Sequence, residues 1–287
     1  MKRLHSKMLV DGGDPQETAR VKQVLGVVDG QTTNPSLVAK NPEIKKLVSS
    51  GRRLTEQEEA AEYRRIVRAI SPLVGEAGVS IEVFADFRTT AQEMVKQGRD
   101  MFTWIPNAYI KYPCTPQGLR AAEISVAEGI RVNITLCFSQ EQAAAVYAAT
   151  RGSTAPVYVS PFIGRIDDIG QNGVDLVLNI KRMYEKGDGH VLVLAASIRS
   201  LDHLLYCLSI PADLITAPAQ ILQGWAEKNF PTPDESFVYK PVGTHIPYHD
   251  VSLDGQWKDY PVHHDLTIKG IQKFASDYEA TLYPKAG

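Results

Sequence analysis

Eight short runs rich in valine and isoleucine, each followed by a longer stretch of helical pattern, narrow most what this chain can fold into. The runs fall at 7–11, 26–33, 79–85, 108–112, 131–137, 156–161, 191–196 and 212–216. Several are apolar almost throughout, as strands buried on both faces must be. Helical patterns occupy 15–25, 34–48, 55–74, 89–100, 116–128, 140–150, 173–187, 200–208 and 218–228. Such alternation predicts an α/β fold with a parallel sheet closed into a (β/α)8 TIM barrel. An open doubly wound sheet is the alternative. Asp11-Gly12-Gly13-Asp14 after the first run is not the glycine-rich phosphate fingerprint of its dinucleotide-binding form.

Residues 229–265 lose this periodicity and are rich in Pro, Tyr, His and Asp, and a helical pattern returns at 266–282. The division expected is therefore a barrel over residues 1–228, then a C-terminal arm and helix over 229–287. That helix can pack on its own barrel or on a neighbouring subunit; its apolar positions suit both.

A net charge of −2 gives no footprint for nucleic acid or an anionic membrane. No apolar run is long enough to span a bilayer, and the apolar stretch after the basic start is too short for a signal peptide. Cys114, Cys137 and Cys207 are odd in number and form no CxxC pair, which fits a reducing, cytoplasmic setting.

Chemistry in a barrel sits at the C-terminal ends of the strands. The polar residues expected there are Asp11; Thr32, Thr33 and Asn34; Glu82; Lys111; Asn133 and Thr135; Ser160 and Arg165; Ser197 and Arg199. Lys111 lies among strand residues, in Ala-Tyr-Ile-Lys-Tyr-Pro. An interior lysine must lose its charge, pair with a carboxylate, or both. As a neutral amine it is a nucleophile toward carbonyls, with Asp11 and Glu82 to move protons. The competing reading is a structural ion pair, and the nearby Asn34, Asn133 and Thr135 favour a site over it. Arg165 and Arg199 fall near the usual barrel phosphate position, although surface arginines are often merely solvated.

Several segments resemble the transaldolase family. Thr32-Thr33-Asn34-Pro35-Ser36-Leu37 is similar to the family's TTNPSL signature, and Ile110-Lys111-Tyr112-Pro113-Cys114-Thr115 to its Schiff-base strand. Blocks at 129–139, 158–168 and 195–199 resemble the family's strands five, six and seven. The resemblance implies a class I mechanism with no cofactor and no metal, acting on sugar phosphates. Lys111 would form the Schiff base, Asp11 would be the acid/base for cleavage, and Glu82 would assist imine formation through a water. Asn34, Asn133 and Thr135 would hold donor hydroxyls and that water, and Ser160, Arg165, Ser197 and Arg199 the phosphate; Thr33 and Phe162 complete the expected substrate-binding set. Fructose-6-phosphate aldolases share fold and lysine but typically carry glutamine at the place of Glu82 and tyrosine at that of Phe162. The pair here implies transfer of a dihydroxyacetone unit over its release. Gly12-Gly13 replaces the family's usual Thr-Ala, which predicts a more flexible end for the first strand. Homo-oligomers are expected, since small family members assemble.

Two other classes compete with this reading. Late histidines (His245, His249, His263, His264) suggest metal-dependent chemistry, but their spacing matches no metal motif. A barrel turned non-catalytic scaffold would suit the Tyr/Pro-rich arm, yet would have no use for Lys111, Asp11 and Glu82.

Overall fold

The structure is a computed structural model that describes residues 4–210, 212–234, 236–241 and 243–283. The outermost residues of the expected barrel and C-terminal segments, 1–3 and 284–287, lie outside them. Eight parallel strands close in sequence order: β1 Lys7–Asp11, β2 Gly30–Thr32, β3 Gly78–Glu82, β4 Ala108–Pro113, β5 Val132–Cys137, β6 Val157–Pro161, β7 Val191–Ala195 and β8 Leu214–Ala217, with β8 pairing back onto β1. Twelve helices surround and cover the barrel: α1 Pro15–Leu25, α2 Pro35–Ala39, α3 Pro42–Ser49, α4 Glu56–Ile70, α5 Ala91–Phe102, α6 Pro116–Ala127, α7 Gln140–Ala149, α8 Ile163–Asp167, α9 Gly173–Tyr184, α10 Leu201–Ser209, α11 Ala219–Glu227 and α12 Asp265–Glu279, counted among the described residues. The chain is a (β/α)8 barrel.

Departures from the expected boundaries have local causes. β2 starts at Gly30 and not at 26, because Gly26 ends α1 with a left-handed φ of 79°. The single helix expected over 34–48 is two. Pro42 has no N–H with which to continue α2, and the Asn41 side chain caps α3 by accepting from the Glu43 N–H. α4 and α5 begin in capping boxes, Thr55 with Glu58 and Thr90 with Glu93.

Side-chain alternation sets the layers of the interior. Leu9, Tyr109, Tyr158, Leu194 and Leu214 form an apolar plug, with the two tyrosine rings stacked at 4.2 Å. Two residues further along these strands come Asp11, Lys111, Ser160, Ala196 and Thr216, so polar groups begin immediately above the plug.

The arm after α11 runs in extended form around the outside. Gln140 donates from Nε2 to the His249 carbonyl and accepts from its N–H, while Asn179 holds the Ile246 carbonyl. α12 then returns across the mouth of its own barrel against α2 and β5. Thr267 Oγ1 donates to the Leu136 carbonyl at 2.9 Å, at a bulge where Leu136 takes the left-handed φ of 58°. Gly270 rides directly on the Leu136 side chain; a Cβ there would meet Leu136 Cδ2 at 2.5 Å. Among the described residues no helix is long and apolar enough to cross a membrane.

Candidate active site

The site is built on adjacent strands. β3 and β4 are in register with Glu82 opposite Lys111, and β4 and β5 with Lys111 opposite Asn133. Lys111 is 3% exposed and Glu82 4%, and Lys111 Nζ lies 3.0 Å from Glu82 Oε2. This contact is an ion pair by distance but is not aligned as a hydrogen bond, for Oε2 has no such partner among the described residues. The directed bond of Nζ, at 3.3 Å, goes to the Thr33 carbonyl. Burial pushes Glu82 up to about 7; Lys111 opposes that rise and Asp11 adds to it.

Asp11 ends β1 and faces the same space. Thr32 Oγ1 donates to its Oδ1 at 2.7 Å. Because that uses the single Thr32 hydroxyl proton, the 2.6 Å contact between Thr32 and Thr216 has Thr216 as donor. Burial raises the Asp11 carboxyl above its ordinary range, against the lowering pull of Lys111, Thr32 and Lys40. The expected looseness at Gly12-Gly13 is absent. Gly12 donates to the Thr32 carbonyl and accepts from Gln31 Nε2, and the Gly13 carbonyl accepts from Asn41 Nδ2 at 2.8 Å. A Cβ on Gly13 would lie 2.8 Å from the Leu37 carbonyl carbon, so glycine here permits close packing against α2 and does not loosen it.

A polar chain continues across β5 and β6: Ser160 Oγ donates to Asn133 Oδ1 at 2.8 Å, and Asn133 Nδ2 to Ser80 Oγ at 3.0 Å. Thr135 Oγ1, two residues along β5 from Asn133, is buried with no hydrogen-bond partner among the described residues. Asn34 caps α2 through Oδ1, which leaves its amide nitrogen as the group offered to a ligand. The Thr33 hydroxyl does not join them. It contacts the Tyr63 hydroxyl at 2.5 Å and donates to the Ser80 carbonyl, on the opposite side of the strand. Thr32 lines the cavity in its place, as period-two alternation requires.

Asp11, Lys111, Asn34, Ser160, Phe162, Arg165, Ser197 and Arg199 line one cavity of about 250 Å³ at the C-terminal mouth. Arg165 stands on α8, a five-residue helix too short for periodicity to reveal. Arg199 forks onto Asp168, with 2.7 Å between Nη2 and Oδ2, and lies across Gly164. Ser197 takes a left-handed φ of 59° between them. His203 joins the two segments: Nδ1 accepts from the Arg199 N–H at 3.3 Å, and Nε2 lies 3.0 Å from Asp167 on α8. Sequence reasoning missed the remainder of the wall: Ser36, Lys40 and, from α12, Lys273, Phe274 and Asp277. Ser36 donates to Asp277, which is also paired with Lys273. The i,i+4 spacing of Lys273 and Asp277 was the available signal, but spacing does not say what a helix will cover.

The late histidines are dispersed. His245 pairs with Asp175, and His264 caps α12 and stacks on Phe138. No group of three or more His, Cys, Asp or Glu among the described residues is placed to hold a metal ion.

Residues 8–284 match the family model described as Transaldolase/Fructose-6-phosphate aldolase. A "Probable transaldolase" of Cereibacter sphaeroides (strain ATCC 17025 / ATH 2.4.3) is 40% identical over 220 residues, covering 77% of this chain and 88% of that one. Another "Probable transaldolase", from Maricaulis maris (strain MCS10), is 35% identical over 256 residues, 89% of each chain. Among solved structures, a mutant tryptophan synthase α-subunit from Pyrococcus furiosus covers 80% of this chain and 94% of its own at 16% identity and a TM-score of 0.45, too distant to carry an argument. On its strands, its buried lysine and its match across nearly the whole length, the chain belongs to the transaldolase/fructose-6-phosphate aldolase family.

Proposed function

We propose that the chain is a transaldolase. It moves a dihydroxyacetone unit from a ketose phosphate, such as sedoheptulose 7-phosphate or fructose 6-phosphate, to an aldose phosphate, such as glyceraldehyde 3-phosphate or erythrose 4-phosphate. The observation that carries this reading is the buried Lys111–Glu82 contact at 3.0 Å, with Asp11 facing the same interior.

Glu82 takes a proton from Nζ, and the amine attacks the ketose C2. Returning a proton to the leaving hydroxyl expels water and gives the protonated imine, an electron sink. Asp11 then takes the C4 hydroxyl proton, the C3–C4 bond breaks, and the three-carbon unit stays on Lys111. The cleaved aldose phosphate leaves and the acceptor aldose phosphate enters. The new carbon–carbon bond forms as Asp11 returns its proton to the new hydroxyl, and water then hydrolyses the imine, freeing the product ketose and the Lys111 amine. A carboxyl that burial raises to about 7 is matched to a proton shuttled in both directions near neutral pH. Arg165, Ser197 and Arg199, with Ser160 deeper in the cavity, are the phosphate donors; anchoring the far end of the chain orients the reacting bond. Thr135, buried without a partner among the described residues, suits a bound hydroxyl or water. Phe162 offers no hydroxyl to protonate and release the donor unit, which favours transfer over the aldolase reaction. A cytoplasmic location and homo-oligomeric assembly accompany this reading.

Borohydride reduction with fructose 6-phosphate is expected to add one dihydroxyacetone-derived mass at Lys111, and Lys111→Ala to abolish both adduct and turnover. Wild-type turnover should yield far more sedoheptulose 7-phosphate plus glyceraldehyde 3-phosphate from fructose 6-phosphate and erythrose 4-phosphate than free dihydroxyacetone. Equal rates of transfer and release would assign the chain to the aldolase branch, and full activity of Lys111→Ala would end the reading altogether.

A further inference from the structure

A second chamber lies against the other side of β3. It has a volume of about 140 Å³ and is lined by Glu59, Ala60 and Tyr63 of α4, Glu82 of β3, Asp100 of α5 and Tyr278 of α12, among others. Glu59 is 6% exposed, although it sits in the charged run Glu56-Gln57-Glu58-Glu59. Among the described residues lining the chamber none is a lysine or arginine; Glu82 has Lys111 on its inner side, but Glu59 has no cation among the described residues. Buried carboxylates are ordinarily paired. An acid kept without a cation beside a residue assigned to proton transfer calls for a reason.

The chamber is coupled to the active site through few groups. The Tyr63 hydroxyl accepts from the Glu82 N–H at 3.0 Å and contacts Thr33 Oγ1 at 2.5 Å, while the Thr33 carbonyl accepts from Lys111. Trp104 packs its ring edge-on to Tyr63 at 5.9 Å and fixes it. The titratable groups around Glu59 are Glu56 and Tyr63 on its own helix, Glu82, Asp100 and Tyr278. Asp100 accepts from Trp104 Nε1, and burial raises both tyrosines well beyond neutrality. Only carboxyls are therefore available to exchange protons within the chamber near neutral pH.

We propose that Glu59 is the outer member of a proton route through the barrel wall, exchanging protons with Glu82 across the chamber while the main cavity is filled by substrate. This inference rests on the transaldolase reading, because Glu82 needs a proton supply only if it serves imine formation. Glu59 touches no substrate; it acts through Glu82. The step balances: Glu59 passes its acid proton along water to Glu82 and takes one back from solvent, or the reverse during imine hydrolysis. The chamber has room for such water, and its walls offer polar partners. Burial raises both Glu59 and Glu82 to about 7, so each carboxyl can hold or give up a proton near neutral pH.

The test compares wild type with Glu59→Gln and, independently, with Ala60→Leu, which fills the chamber and leaves the acid in place. Both are expected to lower kcat for fructose 6-phosphate plus erythrose 4-phosphate by roughly tenfold, short of the loss of a direct acid. KM should stay within about twofold and the solvent deuterium effect on kcat should rise. Glu59→Gln should also change the pH profile of kcat, Glu59→Asp should restore part of it, and the equilibrium amount of borohydride-trapped Lys111 should not change. Should Glu59→Gln fail to fold, Ala60→Leu decides. Wild-type kcat, pH profile and isotope effect in the variants overturn the route while wild-type trapping stands. Absence of a Lys111 adduct in the wild type removes the transaldolase reading, and the route with it.

Discussion

At Gly164 the missing side chain has a definite use. The Arg199 side chain crosses it, and a Cβ there would lie 2.6 Å from Arg199 Cδ. Gly164→Ala must therefore push the guanidinium away from the cavity that Arg165 and Ser197 also line. Charge-assisted hydrogen bonds to phosphate contribute about 1.5–3 kcal/mol. The expected result is a KM for fructose 6-phosphate raised by roughly ten- to a hundredfold, with kcat changed less and little loss of melting temperature, since half-exposed Arg199 can swing outward. Steady-state kinetics beside a thermal melt check this; an unchanged KM would mean that Arg199 does not grip the phosphate. Thr33, expected to bind substrate, turns its hydroxyl away from the cavity. The sequence marks Thr32 and Thr33 equally as polar residues at a strand end, and only the strand register decides which of two neighbours faces inward. Lys111, Asp11 and Glu82 were easier to read, because a charged residue within an apolar run has few explanations.

At the scale of elements, α12 and the bulge in β5 are fitted to one another. Gly270 lets the helix approach Leu136, and Thr267 satisfies the carbonyl that the bulge leaves over. Gly270→Val is expected to cost about 1–3 kcal/mol by overpacking. It should also raise KM, because lifting α12 moves Lys273, Phe274 and Asp277 away from the cavity they line. Thermal denaturation and KM measured together test the pair of effects; a melt that falls with KM unchanged would separate the helix from substrate binding. The strands were legible as apolar runs with errors only at their ends, where a glycine cap or a short loop replaced a strand residue. α8 was invisible because five residues cannot display a helical period. The partner of α12 was not legible either: an amphipathic face states that something must be covered, not what.

For the whole molecule, buried acids set how folding responds to pH. Glu59 has no compensating cation among the described residues, and burial raises its folded-state pKa to about 7 from the ordinary 4.5. The folded chain thus binds this proton more tightly than the unfolded one. The resulting stability is fully present below pH 4.5 and is lost as pH rises through 7, a change of about 3 kcal/mol. Urea denaturation should show Glu59→Gln more stable than wild type by that order at pH 8 and near parity at pH 4.5; a gap independent of pH would show the carboxyl ionised in both states. Helical spacing puts Glu59 on the inner face of α4 with Tyr63, Ile66, Val67 and Ile70, but spacing does not reveal that the covering α5 and α12 bring it no cation among the described residues.

The Thr267–Leu136 bond spans 131 positions of sequence. A ribosome that has finished the eighth strand has made every lysine, carboxylate and arginine assigned to the chemistry, but not the helix that braces the bent end of β5 and completes the wall of the cavity. Until residue 279 has emerged, the nascent barrel holds Lys111 without the finished cavity around it. On the transaldolase reading, the order of synthesis leaves completion of that cavity's wall to α12.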